Sequence, residues 1–109
     1  INRIELRGNV GTAPRINEVG ETKVVKFSMA TSELYKDRAG TIKEETTWHN
    51  IVAWAGKGMP DFNDIQKGVC VSVLGRVRSV KYTNAQGEEK YFTEVLANRL
   101  QIEEKEVTL

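Results

Sequence analysis

The residues best suited to chemistry lie in one segment, which begins at Trp48 and ends at Trp54. Side chains of a β-strand point alternately to its two faces, so in an extended segment both tryptophans share a face with Asn50 and Val52. A pair of large indoles on one face is either packed into a core or displayed as a flat stacking platform. Such platforms hold unpaired nucleobases without reading their sequence. The elements around the segment decide between these two interpretations.

Alternation of apolar and polar residues predicts five strands. The predicted strands cover residues 3–10, 25–35, the tryptophan segment that ends at 54, about 69–82, and 90–102. A charged turn at 36–43 joins the second strand to the third, and a tight turn at 84–87 joins the fourth to the fifth. Gly8 and Gly75 lie inside strands, where glycine indicates a bulge or a sharp bend.

One segment, between Trp54 and Gly68, does not alternate. Met59, Phe62 and Ile65 recur every three residues, which predicts a short helix that depends on packing because its sequence is a weak helix former. Three strands, a helix and two strands match the all-β, five-stranded Greek-key barrel known as the OB-fold. We therefore expect residues 1–109 to form a single OB-fold domain with one short helix between strands three and four.

Overall charge does not identify a partner. The 109 residues carry 16 basic and 15 acidic side chains, a net charge of +1, so any basic footprint must be local. The single cysteine, Cys70, has neither a disulfide partner nor the companions of a metal cluster, and we expect it to be a small buried apolar residue. No leader or membrane-spanning run is evident, and a cytoplasmic location is the expectation.

Local basic footprints do occur, on the two predicted hairpins. The basic residues there are Lys36, Arg38 and Lys43 on the first hairpin, and Arg76, Arg78, Lys81 and Lys90 on the second. Tyr35 and Tyr82 lie where each hairpin leaves the barrel. Cations that pair with phosphates beside rings that stack on bases are what an unpaired nucleic-acid strand requires.

Several short motifs together resemble the bacterial single-stranded-DNA-binding proteins. In chain order they are Gly8-Asn9-Val10-Gly11, Ala30-Thr31-Ser32-Glu33 before Tyr35, Lys43-Glu44 followed by Thr46, Trp48 and His49, Lys67-Gly68, Gly75 with Arg78, Lys81-Tyr82, Gln86-Gly87, and Tyr91 with Thr93-Glu94-Val95. The resemblance covers essentially the whole chain in unbroken order.

This resemblance implies a homotetrameric OB-fold, with a dimer as the alternative, that wraps single-stranded DNA and has no catalytic activity or cofactor. The implied base-stacking residues are Tyr35, Trp48, Trp54 and Tyr82. The implied phosphate-contacting residues are Lys36, Arg38, Lys43, Lys67, Arg78 and Lys81. His49 is the lone histidine, and the resemblance places it at a subunit contact.

Three departures from the family pattern affect the predicted site. The family commonly has tryptophan at Tyr35 and Tyr82 and phenylalanine at Trp54, so stacking area is redistributed. Asn50 replaces the usual arginine, which removes one phosphate partner. The acidic tail that recruits replication and repair proteins in the family is absent from these 109 residues, so we expect such recruitment only if a tail exists beyond this chain.

Two other functions use the same residues. An OB-fold primosomal or RNA-binding module would use the same rings on another strand, and a protein-interaction barrel would bury the tryptophans in a subunit interface. An enzyme is not expected, because no catalytic triad, phosphate loop or metal-ligand spacing is present. The favoured hypothesis is a non-catalytic protein that binds single-stranded DNA without strong sequence preference in replication, recombination and repair.

Overall fold

The computed structural model describes residues 1–103, which form six β-strands and one short helical turn. The strands are β1 (Ile4–Val10), β2 (Arg15–Val19), β3 (Thr22–Lys36), β4 (Ile42–Trp54), β5 (Cys70–Thr83) and β6 (Glu89–Ile102). Their order in the sheet is β1-β5-β6-β4-β3-β2, and β1 pairs with β3 as well, which closes a barrel from every strand except β2. The predicted five-stranded OB-fold class is confirmed.

The core explains why these segments are strands. Val25, Phe27 and Met29 of β3 are buried in one cluster with Ile51 and Ala53 of β4. Within the barrel, β3 and β4 therefore place every second side chain inside, as the alternating sequence requires. The alternate residues of these strands, which include the two tryptophans, lie on the outer face.

The predicted helix is a single 3-10 turn, Phe62–Asp64, which begins at the capping carboxylate of Asp61. Phe62 and Ile65 are buried in the core as expected. Gly58, with a positive φ of 86°, and Pro60 both lie just before this turn. Neither residue suits a helix interior, so the helix does not extend toward the N-terminus.

Strand β2 was not expected. It pairs only with β3, from Arg15 opposite Lys26 to Val19 opposite Thr22. All five of its residues are exposed, so it adds nothing to the core. It forms a hairpin with β3 at one edge of the sheet.

Two glycines allow the barrel to close. A Cβ atom at Gly8 would overlap the carbonyl oxygen of Ala30, where β1 meets both β5 and β3. A Cβ atom at Gly75 would overlap the carbonyl oxygen of Leu96, at the register shift between β5 and β6. Only a residue without a side chain permits these approaches. The bulge expected at a strand glycine occurs at Gly75, whereas Gly8 keeps a continuous register with β5 and serves a close approach of two strands.

The long strands extend beyond the barrel as two hairpin arms. The first arm comprises residues 32–46 of β3 and β4, and the second comprises residues 79–93 of β5 and β6. Every residue of the first arm's strands is exposed, so both of its faces contact solvent.

Candidate nucleic-acid interface

Both tryptophans lie outside the core, on the outer face of β4. Ile51 and Ala53 point into the barrel, so Trp48 and Trp54 point away from it. Trp48 is 63% exposed and Trp54 is 41% exposed. Two accessible indoles therefore share one surface, as the platform interpretation requires.

Trp48 is exposed but positioned. The benzene edge of its indole packs on Gly11, and a Cβ atom there would overlap the ring. Gly11 is itself held by its N–H, which donates to the carbonyl oxygen of Ser28 at 2.8 Å. The loop after β1 thus presents a bare backbone against which the indole rests.

An open groove of about 780 Å³ crosses β4 at Asn50 and Val52, the outer-face residues between the two tryptophans, although neither indole lines it. The outer faces of β3, β4 and β6 form its floor, and the loop that leads into β2 forms one wall. Ser28 fixes this wall, because its backbone N–H and its hydroxyl both donate to Thr12 Oγ1, at 3.2 and 3.1 Å. Among the lining residues, those with polar or aromatic chemistry are Arg15, Lys26, Ser28, Asn50, Phe92 and Glu94.

Two cations stand side by side in this groove. Arg15 and Lys26 are direct cross-strand partners in β2 and β3, and both line the groove. Within residues 1–103 neither has a carboxylate within 4.0 Å. Like charges directly opposite each other destabilise a sheet, so this pair lowers the stability of the free protein. An anionic ligand would relieve the repulsion.

A second pair of rings extends the aromatic surface onto β5 and β6. Tyr82 and Phe92 lie with their ring centroids 5.6 Å apart and their planes tilted by 60°. They are 45% and 38% exposed, and Phe92 lines the groove. In such a tilted pair each ring restrains the other, and a ring face that points outward stays accessible for stacking.

Tyr35 lies on the other face of its ladder. It is the cross-strand partner of Lys43, whereas Trp48 is opposite Ala30, and the register of β3 with β4 is continuous between these pairs. Tyr35 therefore shares the face of His49 rather than that of Trp48. It is 47% exposed, so its ring remains accessible from that side.

The tips of the two arms have the same architecture. Asp37 Oδ1 accepts the N–H groups of Ala39 and Thr41 at 2.9 Å each, and Asn84 Oδ1 accepts those of Gln86 and Glu88 at 3.0 and 2.9 Å. Each tip has a glycine of positive φ three residues after its Asp or Asn. In both arms a tyrosine two residues before the Asp or Asn faces a lysine: Tyr35 with Lys43, and Tyr82 with Lys90.

The six cations predicted to contact phosphate fall into two groups. Lys43 pairs with Asp37 at 3.4 Å, Lys81 pairs with Glu89 at 3.0 Å, and Arg78 pairs with Glu94. Within the described part of the chain, the other three have no carboxylate within 4.0 Å; they are Lys36, Arg38 and Lys67. Phosphate contact by the first group requires these ion pairs to open or to be shared.

Lys67 lies close in the fold to the loop that supports Trp48. The next residue, Gly68, donates its N–H to the carbonyl oxygen of Val10 at 2.8 Å, and Gly11 follows Val10 in the chain. The structure thus brings Lys67 toward the Trp48 end of the groove. Lys36 and Arg38 are instead at the far end of the first arm.

The ion pair of Arg78 with Glu94 stands at the base of the second arm. Glu94 is the buried charged residue of the described chain, 6% exposed, whereas the Arg78 side chain is 42% exposed. Arg78 Nε donates to a carboxylate oxygen of Glu94. Because a carboxylate removed from water needs a compensating partner, this arginine stabilises the fold in addition to any role toward phosphate.

His49 faces away from the tryptophans, as expected. Its Nε2 lies 2.8 Å from the hydroxyl oxygen of Thr31. Partial burial removes water from the ring and lowers its pKa below the ordinary value of 6.5. Its location at a subunit contact stays a prediction.

The lowered pKa of His49 makes stability depend on pH. The unfolded chain binds the proton more readily than the folded chain, so this contribution is complete above pH 6.5 and is lost as pH falls toward the folded-state pKa. We expect the free energy of unfolding in urea to decrease between about pH 7 and 5.5, and His49→Gln to flatten that slope. An equal slope in both proteins would show that other groups cause it.

Sequence reasoning missed three residues of the groove, Arg15, Lys26 and Phe92. Lys26 and Phe92 had a usable signal, because each alternates with core residues and therefore points outward. Arg15 had none, because its position depends on β2. Within residues 1–103 the structure contains no cluster of three or more potential metal ligands. No helix in this described range is long and apolar enough to span a bilayer.

Comparison with known proteins gives a consistent result. The sequence model of the single-strand binding protein family matches residues 1–103. The single-stranded DNA-binding protein of Xanthomonas campestris pv. campestris is 36% identical over 104 residues, which are 94% of this chain and 60% of the relative. Single-stranded DNA-binding protein 1 of Chlorobaculum tepidum is 35% identical over 104 residues, 94% of this chain and 64% of the relative. The chain thus spans less than two thirds of these relatives' length.

A solved structure is similar as well. Plasmodium falciparum SSB in complex with ssDNA matches with a TM-score of 0.78 and 33% sequence identity, over 95% of this chain and 96% of that chain.

Proposed function

The chain belongs to the single-strand binding protein family, and from this membership and the geometry of the groove we propose that it binds single-stranded DNA without strong sequence preference. One observation carries the proposal: two exposed tryptophans flank a groove that holds the adjacent cations Arg15 and Lys26. Rings stack on bases of any identity, and cations neutralise phosphates, so this combination suits an unpaired strand.

The proposed path of the DNA follows the outer face. Trp48 and Trp54 stack bases at the two ends of the groove, Tyr82 and Phe92 continue the surface onto the second arm, and Tyr35 receives a base on the reverse side of the first arm. Phosphates then run past Arg15 and Lys26. The free cations Lys36, Arg38 and Lys67 extend the path. Lys43 and Lys81 join it where the strand displaces their exposed carboxylates, and Arg78 joins it through the N–H groups that the buried Glu94 leaves unused.

The biological setting is proposed from the family. The protein would coat single strands in the cytoplasm, at the nucleoid, during replication, recombination and repair, and would act by binding without catalysis. Homotetrameric assembly through a surface that includes His49 is part of the proposal, with a dimer as the alternative. Recruitment of replication and repair proteins would require an acidic tail beyond these residues.

Tryptophan fluorescence tests the proposal directly, because both tryptophans of the chain flank the groove. We expect strong quenching by single-stranded DNA, little by duplex DNA, and weakening of the single-strand signal as salt rises. Preferential quenching by RNA would instead identify an RNA-binding module. Unchanged emission with every polymer, together with a concentration-dependent change in mass by light scattering, would identify the tryptophan face as a protein interface.

The salt dependence tests the proposed roles of Arg15 and Lys26. For single strands each phosphate that the protein neutralises contributes about 0.7 to the slope of log K against log salt concentration. We expect Arg15→Gln and Lys26→Gln together to flatten the slope by roughly 1.4. The matched control is Lys23→Gln, because Lys23 is exposed on the same strand as Lys26 but its side chain points to the opposite face. If the wild-type protein, the double variant and Lys23→Gln have equal slopes, the phosphates do not contact Arg15 and Lys26.

A further inference from the structure

The hydroxyl of Thr12 extends the sheet past the end of β1. Val10 is the last residue of β1, and its partner in β3 is Met29. The next rung would pair Gly11 with Ser28, and the Gly11 N–H does donate to the carbonyl oxygen of Ser28 at 2.8 Å. In a regular antiparallel ladder the Ser28 N–H would return a bond to the carbonyl oxygen of Gly11. It donates to Thr12 Oγ1 instead, at 3.2 Å, so a side-chain oxygen replaces the backbone acceptor.

Gly11 is therefore held to β3 from both sides. Its own N–H fixes it on one side, and the side chain of the next residue, Thr12, fixes it on the other. The Ser28 hydroxyl adds a third bond, to Thr12 Oγ1 at 3.1 Å. Loss of the Thr12 hydroxyl would remove two of these three bonds and leave the Ser28 N–H without its acceptor.

Trp48 depends on this support because its neighbours on the outer face are short. Its cross-strand partner Ala30 offers a single methyl group, and the adjacent outer-face residues of β4 are Thr46 and Asn50. The benzene edge of the indole occupies the space that a Cβ atom of Gly11 would need. The position of the ring therefore follows the position of Gly11.

We propose that Thr12 is a positioning residue for DNA binding: its hydroxyl holds Gly11 on β3, and Gly11 holds the Trp48 indole ready to stack on a base. The inference rests on the proposed binding of single-stranded DNA. A ring that is already ordered loses less conformational freedom when a base stacks on it, so preorganisation raises affinity. Thr12 acts through Trp48 rather than by a contact of its own with DNA.

A double-mutant cycle tests this inference. Affinity is measured from the fluorescence anisotropy of a labelled thymidine oligonucleotide, so that detection requires no tryptophan. Thr12→Val keeps the shape of the side chain but removes the hydroxyl, and we expect it to weaken binding by about five-fold, the equivalent of ordering one side chain. In a Trp48→Ala background the same substitution should weaken binding by less than about two-fold, because the ring that Thr12 positions is gone.

Fluorescence of the free protein gives a second readout, which does not involve DNA. In a Trp54→Phe background Trp48 is the single tryptophan, and Thr12→Val should enlarge the fast component of its anisotropy decay, which reports side-chain motion. Thr12→Ser retains the hydroxyl, so it should preserve both the ordered ring and the wild-type affinity. If Thr12→Val does not fold, Thr12→Ala replaces it, because alanine removes the hydroxyl without placing a methyl group against the Ser28 N–H.

The outcomes separate this inference from the proposed function. Failure of the wild-type protein to bind the oligonucleotide would overturn the function and this inference with it. Equal affinities of the wild-type protein and Thr12→Val, or an unchanged anisotropy decay of Trp48, would leave the function in place and overturn the positioning role. An equal loss of affinity with and without Trp48 would also overturn it. The Thr12 hydroxyl lines the groove and keeps a proton of its own, so that result would identify a direct contact with DNA.

Discussion

Trp48→Ala is expected to weaken binding of single-stranded DNA by about 5- to 150-fold, because the loss of one ring-base stack is worth roughly 1–3 kcal/mol. The indole is 63% exposed and lies outside the core cluster, so its removal leaves the barrel packing unchanged. The free energy of unfolding should stay within about 0.5 kcal/mol of the wild-type value. Fluorescence of the remaining Trp54 measures the first quantity, and urea denaturation measures the second.

Trp54→Ala is expected to lose affinity to a similar extent but also some stability. Trp54 is 41% exposed, and its cross-strand partner on the outer face is Val24, which is 4% exposed although it lies outside the core cluster. Removal of the indole uncovers Val24, and we expect a loss of about 1 kcal/mol. The contrast between the two variants distinguishes the ring that only binds from the ring that also covers the sheet.

Tyr91→Ala is the matched control for both variants. Tyr91 is 66% exposed, as accessible as Trp48, but it precedes Phe92 in β6 and therefore points to the opposite face. Its removal should change affinity by less than about two-fold, since Tyr91 is not one of the proposed stacking rings and its cross-strand partner Lys81 keeps its charge. Unfolding of both tryptophan variants, or an equal loss of affinity in Tyr91→Ala, would refute the proposed binding face.

The position of the two tryptophans on the outer face could be predicted because its cause is local. The spacing of Trp48 and Trp54 fixes their shared face in any extended segment, and the buried residues between them fix which face is outside. The hairpin tips were equally predictable, because Asp37 and Asn84 are each followed three residues later by glycine. Side chains that cap their own turn and glycines that supply positive φ need no information from the rest of the fold.

Features that depend on distant pairing could not be predicted in the same way. Strand β2 has no buried residue, so its sequence carries no alternation that a core imposes, and the adjacency of Arg15 with Lys26 appears only when β2 pairs with β3. The helical turn is short for the reason the sequence itself suggested, which is the weak helix propensity of its glycine, proline and small polar residues. Its apolar spacing was still a sound guide to Phe62 and Ile65.

The facing of Tyr35 and the pairing of Arg78 with Glu94 lay within reach of the sequence. Counting outward from each turn gives the register of the hairpin, which places Tyr35 opposite Lys43 and Arg78 opposite Glu94. What counting cannot give is the burial of Glu94, because that depends on β4 approaching β6 from the other side. The resemblance implied a phosphate contact for Arg78, and the burial of the carboxylate that Arg78 also compensates emerged only from the fold.

Arg78→Ala is expected to destabilise the protein by about 3 kcal/mol, the lower end for removal of one partner of a buried ion pair. The variant leaves the Glu94 carboxylate, only 7% exposed, without its charge partner. Glu94→Gln should have a smaller effect, about 1 kcal/mol, because the Arg78 side chain is 42% exposed and water can solvate it. Urea unfolding at neutral pH measures this asymmetry.

Lys81→Ala provides the comparison that decides how Arg78 acts. Lys81 pairs with Glu89 in the same arm, but both side chains are more than half exposed, so removal of the lysine should change stability by less than about 0.5 kcal/mol. If Arg78→Ala is as mild as Lys81→Ala, Glu94 is adequately hydrated without its partner, and Arg78 is free to leave it for a phosphate. If the expected difference is found, Arg78 must hold the buried carboxylate while DNA is bound, and a phosphate can only share it through the N–H groups that Glu94 leaves unused.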